Sequence, residues 1–200
     1  MEPRVFFDPL LYGFVLIGLF TPGPNVIMLT TSGVRFGFRA SLPHLFGVVL
    51  GVGITAGVTA LGVGALVQAS PMLNTALRLA AAGFILWMAW GYFRAAGRPR
   101  GDGGGERPLG FLAAAAFQWI NPKVWAIAFA ASAGYGAGMA PLTEAARLGL
   151  AFSSVNLGVC LFWTAAGSLL TALLSAPRAW KLFLRIMAVL LALSALLIFR

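Results

Sequence analysis

The chain has 200 residues, of which 60% are hydrophobic and 10% charged, with 25 glycines. Soluble globular domains are more polar, and several runs exceed the roughly 20 apolar residues that cross a bilayer. We therefore predict an all-α integral membrane protein. The formal net charge of +9 does not indicate nucleic-acid binding, because the basic residues lie in short connections between apolar runs.

The apolar runs predict six transmembrane helices, three in each half of the chain. The first half, residues 1–95, holds spans at about 9–32, 42–67 and 72–93, and the second, residues 109–200, holds spans at about 109–133, 148–174 and 181–199. Residues 96–108 form a linker too rich in glycine and charge to pack, so we expect it to be mobile. The N-terminal segment is expected to be retained, because it carries acidic residues and no small-residue cleavage site.

Two sequence elements interrupt the first and fourth spans. They are Thr21-Pro22-Gly23-Pro24-Asn25 and Asn121-Pro122-Lys123. Proline and glycine remove backbone donors and favour a break in a helix. The flanks are apolar, so both breaks are predicted at membrane depth, where irregular backbone is tolerated only against protein or a water-filled cavity. Paired interruptions in two halves are typical of a transporter's binding site.

Small residues crowd the second span. Gly47 and Gly51 are four residues apart, as are Gly53 and Gly57, and this spacing lets the backbone of another helix approach closely. These glycines are predicted to pack helices together. Because such faces exceed what six helices need, a homodimer is a plausible partner arrangement.

Isolated polar residues occur in the remaining spans and at their ends. Interhelical hydrogen bonds are the simplest interpretation of Thr55, Thr59 and Asn156, although Asn156, near the middle of span five, is also a candidate for the substrate site. His44 is expected at the membrane interface. Glu144 and Arg147 are predicted to pair at the start of the fifth span.

The basic residues divide unevenly between the two sides of the predicted topology. One side has nine basic residues: Arg35, Arg39, Arg94, Arg98, Arg100, Arg107, Arg178, Lys181 and Arg185. The opposite side has four: Arg4, Arg78, Arg147 and Arg200. The positive-inside rule places the richer side in the cytoplasm and both termini outside. Three spans per half then give the halves opposite orientations, which is an inverted repeat.

A break inside a membrane helix exposes amides at the start of the second half-helix and carbonyls at the end of the first. The amides suit a carboxylate, and the carbonyls suit an ammonium group or a coupling cation. A zwitterionic amino acid carries both groups. Asn25 and Asn121 add side-chain amides that both donate and accept hydrogen bonds.

Lys123 is the only charge predicted deep within a span. Burial there costs roughly 3 kcal/mol, so such a residue usually faces a cavity or a partner. Lys123 could hold a substrate carboxylate or change protonation as a coupling ion moves, and the sequence leaves both open. The alternative is that Lys123 lies higher and reaches the interface.

Several functions lack the residues they need. No pair of carboxylates and no His/Asp/Glu cluster lies inside a span, so a metal site or an intramembrane hydrolase is not expected. No phosphate-binding loop for ATP is present. No cofactor is predicted, and transport would use an ion gradient or run downhill.

On the two interrupting elements, together with Gly33, Gly37 and the glycine-rich second span, the chain resembles the LysE/RhtB family of amino-acid exporters over nearly its whole length. The resemblance implies efflux of amino acids or their derivatives across the cytoplasmic membrane, coupled to protons. Lysine and arginine exporters of that family carry acidic residues within their spans, whereas this chain has Val52 and Lys123. It therefore looks closer to the homoserine, threonine and neutral amino-acid branch, with no identified proton-carrying group.

The competing hypothesis is a non-transporting helical membrane protein that assembles with other subunits. It predicts that the glycines at 47, 51, 53 and 57 matter and that Asn25 and Lys123 do not. An intramembrane enzyme is a third and weaker candidate. The predicted partners of the exporter are a small amino acid, protons and membrane lipid.

Overall fold

The computed structural model describes residues 7–62, 69–98, 106–174 and 176–197, and all regular structure in these ranges is helical. The helices are α1 Pro9–Phe20, α2 Pro24–Phe36, a 3₁₀ turn Arg39–Ser41, α3 Leu42–Ala60, α4 Pro71–Ala95, α5 Phe111–Ile120, α6 Pro122–Gly134, α7 Pro141–Leu173 and α8 Pro177–Leu197. Most of them begin with proline, whose missing N–H costs nothing in the first turn. The all-helical prediction is confirmed.

Four helices in the described ranges are long and apolar enough to cross a membrane, namely Arg39–Ala60, Pro71–Ala95, Pro141–Leu173 and Pro177–Leu196. The pair α1 and α2 raises this number to five if it forms one span, and the two helices meet at a 62° bend. Helices α5 and α6, with 10 and 13 residues, occupy the position of the predicted fourth span. The chain is thus a multi-pass membrane protein by length and composition.

Helix α3 lies at the centre of the packing, between α7 and α5. Helix α2 packs on α7, and α4 packs on α8 at the side of the molecule. The main core includes Val48 of α3, Phe152 of α7 and Leu11 of α1, all fully buried. Large apolar side chains on the outer surfaces remain exposed, as expected for faces that contact lipid tails.

The glycines of α3 lie against other helices of the same chain. A Cβ at Gly47 would be 2.3 Å from the Phe111 carbonyl oxygen, and one at Gly51 would be 2.7 Å from that of Ala115, both in α5. Gly53 faces Ser153 of α7, and Gly57 faces Ala145 of the same helix. Because these contacts occupy the glycine faces, the small-residue argument for a homodimer no longer holds.

The fifth helix begins earlier than predicted. Glu144 and Arg147 were expected to open the helix of the span predicted at about 148–174, but α7 starts at Pro141 because proline suits the first turn of a helix. The predicted pair of Glu144 with Arg147 is confirmed, at 2.7 Å between Oε1 and an Arg147 guanidinium nitrogen. Arg147 is fully buried, so Lys123 is not the only charge inside the bundle.

The structure bears on three further expectations about polar residues. His44, expected at the membrane interface, is buried within the protein, because α3 and its neighbours enclose it. Thr55 and Thr59 donate to carbonyls of their own helix, those of Gly51 and Thr55, at 2.9 and 2.7 Å, and so make no interhelical bond through these hydrogens. Of the 96–108 linker, residues 99–105 lie outside the described ranges, whereas Glu106 is held by ion pairs to Arg35 and Arg98. The predicted end of the second span, from residue 63 onward, also lies outside the described ranges.

Candidate substrate site

The two interrupting elements meet through Lys123. Its ammonium group donates hydrogen bonds to the backbone carbonyl of Thr21 and, at 2.9 Å, to Thr21 Oγ1. The Thr21 hydroxyl in turn donates to the Gly18 carbonyl at 2.7 Å. A cation therefore lies at the carbonyl end of α1, where the helix dipole favours positive charge.

Gly23 leaves the space that Lys123 occupies. A Cβ at Gly23 would lie 3.0 Å from Lys123 Cδ and 3.1 Å from Nζ. Gly23 is also the N-cap of α2 and has no side chain to cap its first amides. The start of α2 thus offers backbone donors next to the Lys123 ammonium.

A buried glutamine joins the side chains of the two interruptions. Gln118 accepts a hydrogen bond from Asn25 Nδ2 at 2.8 Å and donates to Asn25 Oδ1 at 3.2 Å. It also accepts from Asn121 Nδ2 at 3.3 Å. Asn121 Oδ1 accepts from the Lys123 amide at 3.2 Å and so caps α6. Each amide fixes the orientation of the next, which holds the site in one arrangement.

A small cavity of about 20 Å³ lies between these elements and α7. Its polar lining comes from Asn25, Asn121, Lys123, Asn156 and Trp163. Asn156 Nδ2 and Trp163 Nε1 are buried and have no hydrogen-bond partner in the described part of the chain. Such donors are costly to bury unpaired, so both are available to an acceptor that reaches them when a ligand enters.

Most of the predicted site residues come together here. Gly23, Pro24, Asn25, Asn121, Lys123 and Asn156 line the cavity. Thr21 contacts it through Lys123, whereas Pro22 is exposed and Pro122 serves to start α6. The structure adds Gln118 and Trp163, which the sequence analysis missed. A signal for Gln118 exists, since it is the only polar residue of α5 and precedes Asn121 by three positions.

The lining chemistry is rich in donors. The ammonium of Lys123, the Asn156 amide and the Trp163 indole all donate, and none of the cavity residues is acidic. The Thr21 carbonyl accepts at the edge of the site. This arrangement suits a carboxylate with a neighbouring ammonium group. No group of three or more His, Cys, Asp or Glu side chains that could hold a metal ion occurs in the described ranges.

Comparison with known proteins identifies the family. Residues 16–200 match the family described as LysE type translocator. The chain belongs to this family. Membership confirms the resemblance that the two interruptions and the glycines indicated, and it supports a transporter and not an intramembrane enzyme.

Among its relatives, this LysE-type translocator is similar to the cysteine/O-acetylserine efflux protein of Klebsiella pneumoniae, with 32% identity over 111 residues. The proteins of the same name from Escherichia coli K12 and Shigella flexneri are 34% identical to it over 111 residues. Each match covers 56% of this chain and 56% of the relative, so it spans about half the relative's length. No solved structure matches the chain.

Proposed function

We propose that the chain exports small neutral amino acids or their derivatives across the cytoplasmic membrane, coupled to the proton motive force, with the substrate bound between the two interruptions. The observation that carries this proposal is the unpartnered pair of donors, Asn156 Nδ2 and Trp163 Nε1, in the cavity that Lys123 lines. Buried donors of this kind need an acceptor, and a substrate carboxylate supplies two oxygens.

The substrate's two charged groups match the site. Its carboxylate would pair with Lys123 and the free donors of Asn156 and Trp163, while its ammonium group would take the position at the Thr21 carbonyl that Lys123 now fills. Carboxylates bound by ammonium groups form hydrogen bonds stronger than neutral ones. The cavity of about 20 Å³ has room for about one water molecule, so substrate entry requires the helices around it to separate.

The substrate class follows from the lining and from the relatives. No acidic side chain is present among the residues that line the cavity. A second positive charge on a lysine-like substrate would therefore be repelled by Lys123 and would find no carboxylate to pair with. The relatives are named as exporters of cysteine and O-acetylserine, which are small and carry no charged side chain. We assign the same class of substrate to this chain.

Six spans arranged as a 3+3 inverted repeat form part of the proposal. In this division α1 with α2 and α5 with α6 are the interrupted first and fourth spans. The packing is then the same for both halves. The first span packs on the fifth as the fourth packs on the second, while the second packs on the fifth and the third on the sixth. Exchanging the halves leaves these pairings unchanged, which supports a repeat of the kind used for alternating access.

The orientation rests on the basic residues. The ends of α2 and α4 and the start of α8 pack together through Val34, Ala95 and Trp180, and the Arg35 side chain pairs with Glu106 there. The described ends of the three connections to which the nine basic residues belong therefore meet at one end of the molecule. The positive-inside rule makes this end cytoplasmic and puts both termini outside.

Replacing Lys123 tests the function. In proteoliposomes loaded with labelled O-acetylserine or cysteine, the wild-type chain should release substrate when a pH gradient is imposed, and a protonophore should stop the release. Lys123→Ala should lower the rate at least tenfold, since hydrogen bonds to charged groups contribute about 1.5–3 kcal/mol. The matched control is Lys181→Ala, which removes an exposed lysine of α8 and should export normally. Equal rates for both variants would refute the site.

The assembly-protein hypothesis loses its main support. Its glycine faces at 47, 51, 53 and 57 are occupied by α5 and α7 of the same chain. They are not free to bind another subunit.

A further inference from the structure

A second and larger cavity lies on the other side of α2. It has a volume of about 450 Å³ and is bounded by α2, α3, α4 and residues 107–110 with Glu106 at its edge. This volume is within the range of small-molecule sites, about 300–1,000 Å³. Asn25 and Val26 of α2 line the central cavity, while Met28, Thr31 and Arg35 of the same helix line this one.

The larger cavity carries positive charge. Its charged lining residues are three arginines and one acid, namely Arg35, Arg94, Arg107 and Glu106. The Arg35 side chain is only 14% exposed, and its guanidinium lies 5.0 Å from the ring centroid of Phe36 and 5.9 Å from that of Tyr92. These aromatic faces orient the guanidinium before any ligand binds.

The same lining includes a buried histidine without a hydrogen-bond partner among the described residues. His44 is 1% exposed, and neither ring nitrogen forms a hydrogen bond with the described residues. An unsatisfied buried polar group in a cavity indicates a polar occupant. The position of His44 and the charge of the arginines together indicate an anionic ligand group.

The Glu106 carboxylate forms ion pairs with Arg35 and Arg98, so the Arg35 guanidinium already has a carboxylate partner. Glu106 is 37% exposed and belongs to the segment that enters α5, whereas Arg35 lies deeper. A carboxylate on a less buried segment is thus held by the most enclosed guanidinium of the cavity. A free carboxylate of the right size could replace it there.

We propose that this cavity is an entry site, in which Arg35 binds the carboxylate of the amino acid before it reaches the central cavity, and in which Glu106 competes with the substrate for Arg35. This inference rests on the proposed export function and adds a second substrate position to it. The route between the two positions follows α2, since residues of that helix line both cavities.

Two substitutions at the same ion pair separate this role from a structural one. Arg35→Gln and Glu106→Gln both break the Arg35–Glu106 contact. A purely structural ion pair predicts the same loss from each. The entry site predicts opposite effects, because Arg35→Gln removes the ligand's partner and Glu106→Gln removes its competitor.

The measurement is equilibrium binding of labelled O-acetylserine to the full chain in phosphatidylcholine nanodiscs, which contain no anionic lipid. The Lys123→Ala background weakens the central site by removing its only cationic side chain, so the part of the binding that depends on Arg35 reports the entry site, whether or not the chain exports this compound. In that background we expect Arg35→Gln to weaken binding about tenfold or more and Glu106→Gln to tighten it. Arg39→Gln, at an exposed neighbouring arginine, is the matched control and should bind normally.

The carboxylate itself is tested with 2-aminoethyl acetate, the same molecule without that group. Its binding should be weak and should not change in Arg35→Gln. Absence of O-acetylserine binding in the Lys123→Ala background, or weaker binding in both ion-pair variants, would overturn the entry site. If Arg35→Gln does not fold, Glu106→Gln decides alone, and binding that is not tighter overturns the proposal. Failure of export by the wild-type chain would instead count against the proposed function.

Discussion

At the scale of single residues, Gln118 links the polar side chains of the central site. It is fully buried and contacts the side chains of both interruptions, Asn25 and Asn121. A fourth hydrogen bond, from its Nε2 to the Ala114 carbonyl at 2.9 Å, ties it to its own helix. The amide network therefore depends on Gln118, although this side chain forms no hydrogen bond with Lys123, the charged residue of the site.

We expect Gln118→Leu to destabilise the protein by about 1–3 kcal/mol, because it removes the partners of the half-buried Asn25 amide and of the buried Asn121 Nδ2. Export should fall as well, since Asn25 and Asn121 lose their fixed orientation. Thermal unfolding in detergent, followed by tryptophan fluorescence, gives the stability. The control is Thr55→Val, which removes a buried hydroxyl bonded only to its own helix and should lower the unfolding temperature less. Equal shifts would argue against a central role for Gln118.

At the scale of helices, close backbone contact holds the bundle together. Gly47 lies against the Phe111 carbonyl of α5, and Gly33 and Gly167 bring α2 and α7 into similar contact, with a Cβ at Gly167 only 2.2 Å from the Thr30 carbonyl oxygen. Lipid tails are as apolar as the helix surfaces, so such packing replaces the hydrophobic effect as the source of association. Any side chain at these positions must push two helices apart.

Gly47→Ala should therefore destabilise the bundle by about 1–3 kcal/mol, the usual cost of overpacking. Gly83→Ala is the matched control, since Gly83 of α4 has no atom within 4 Å of an added Cβ. That variant should be as stable as the wild type or slightly more so, because alanine favours a helix over glycine by about 1 kcal/mol. Unfolding temperatures of both variants in the same detergent test this difference. A Gly47→Ala chain as stable as Gly83→Ala would contradict the packing.

The features that could be predicted from the sequence are those that depend on neighbouring residues in the chain. Proline and glycine at Thr21–Asn25 and proline at Asn121–Lys123 disfavour continuation of a helix, and one helix ends just before each element while another begins within it. Gln118 was missed because its partner Asn25 is 93 positions away, and no local pattern indicates such a contact. The burial of His44 and the partners of Glu106 were missed for the same reason, since both depend on how distant helices pack.

The whole molecule divides into two ends with different charge. Arg35, Glu106 and Arg98 meet at one end, whereas Arg147, with Glu144, lies near Tyr135 at the other, where its guanidinium donates to the Tyr135 carbonyl. Arg147 is satisfied by these contacts within the protein. The unequal distribution of the remaining basic residues is what fixes the proposed orientation.

Two single cysteines test this orientation in a Cys160→Ala background. Arg39→Cys lies after α2, and Ala137→Cys lies between α6 and α7, and both positions are exposed. On intact cells an impermeant maleimide should label Ala137→Cys and not Arg39→Cys, while permeabilised cells should show labelling of both. The reverse pattern on intact cells would invert the topology and would place the proposed entry site outside.

The bend between α1 and α2 has an electrical consequence. At 1.5 Å per residue, the 12 residues of α1 measure about 18 Å and the 13 of α2 about 20 Å, against a hydrocarbon core of about 30 Å. As one span, the pair puts Lys123 and Thr21 near the middle of the membrane voltage. A proton that reaches this depth from outside gains about half of the full work, roughly 1.2 kcal/mol per 100 mV. A neutral zwitterion leaving from the same depth gains and loses no such work, so under the proposed proton coupling the voltage would act on the proton and not on the substrate.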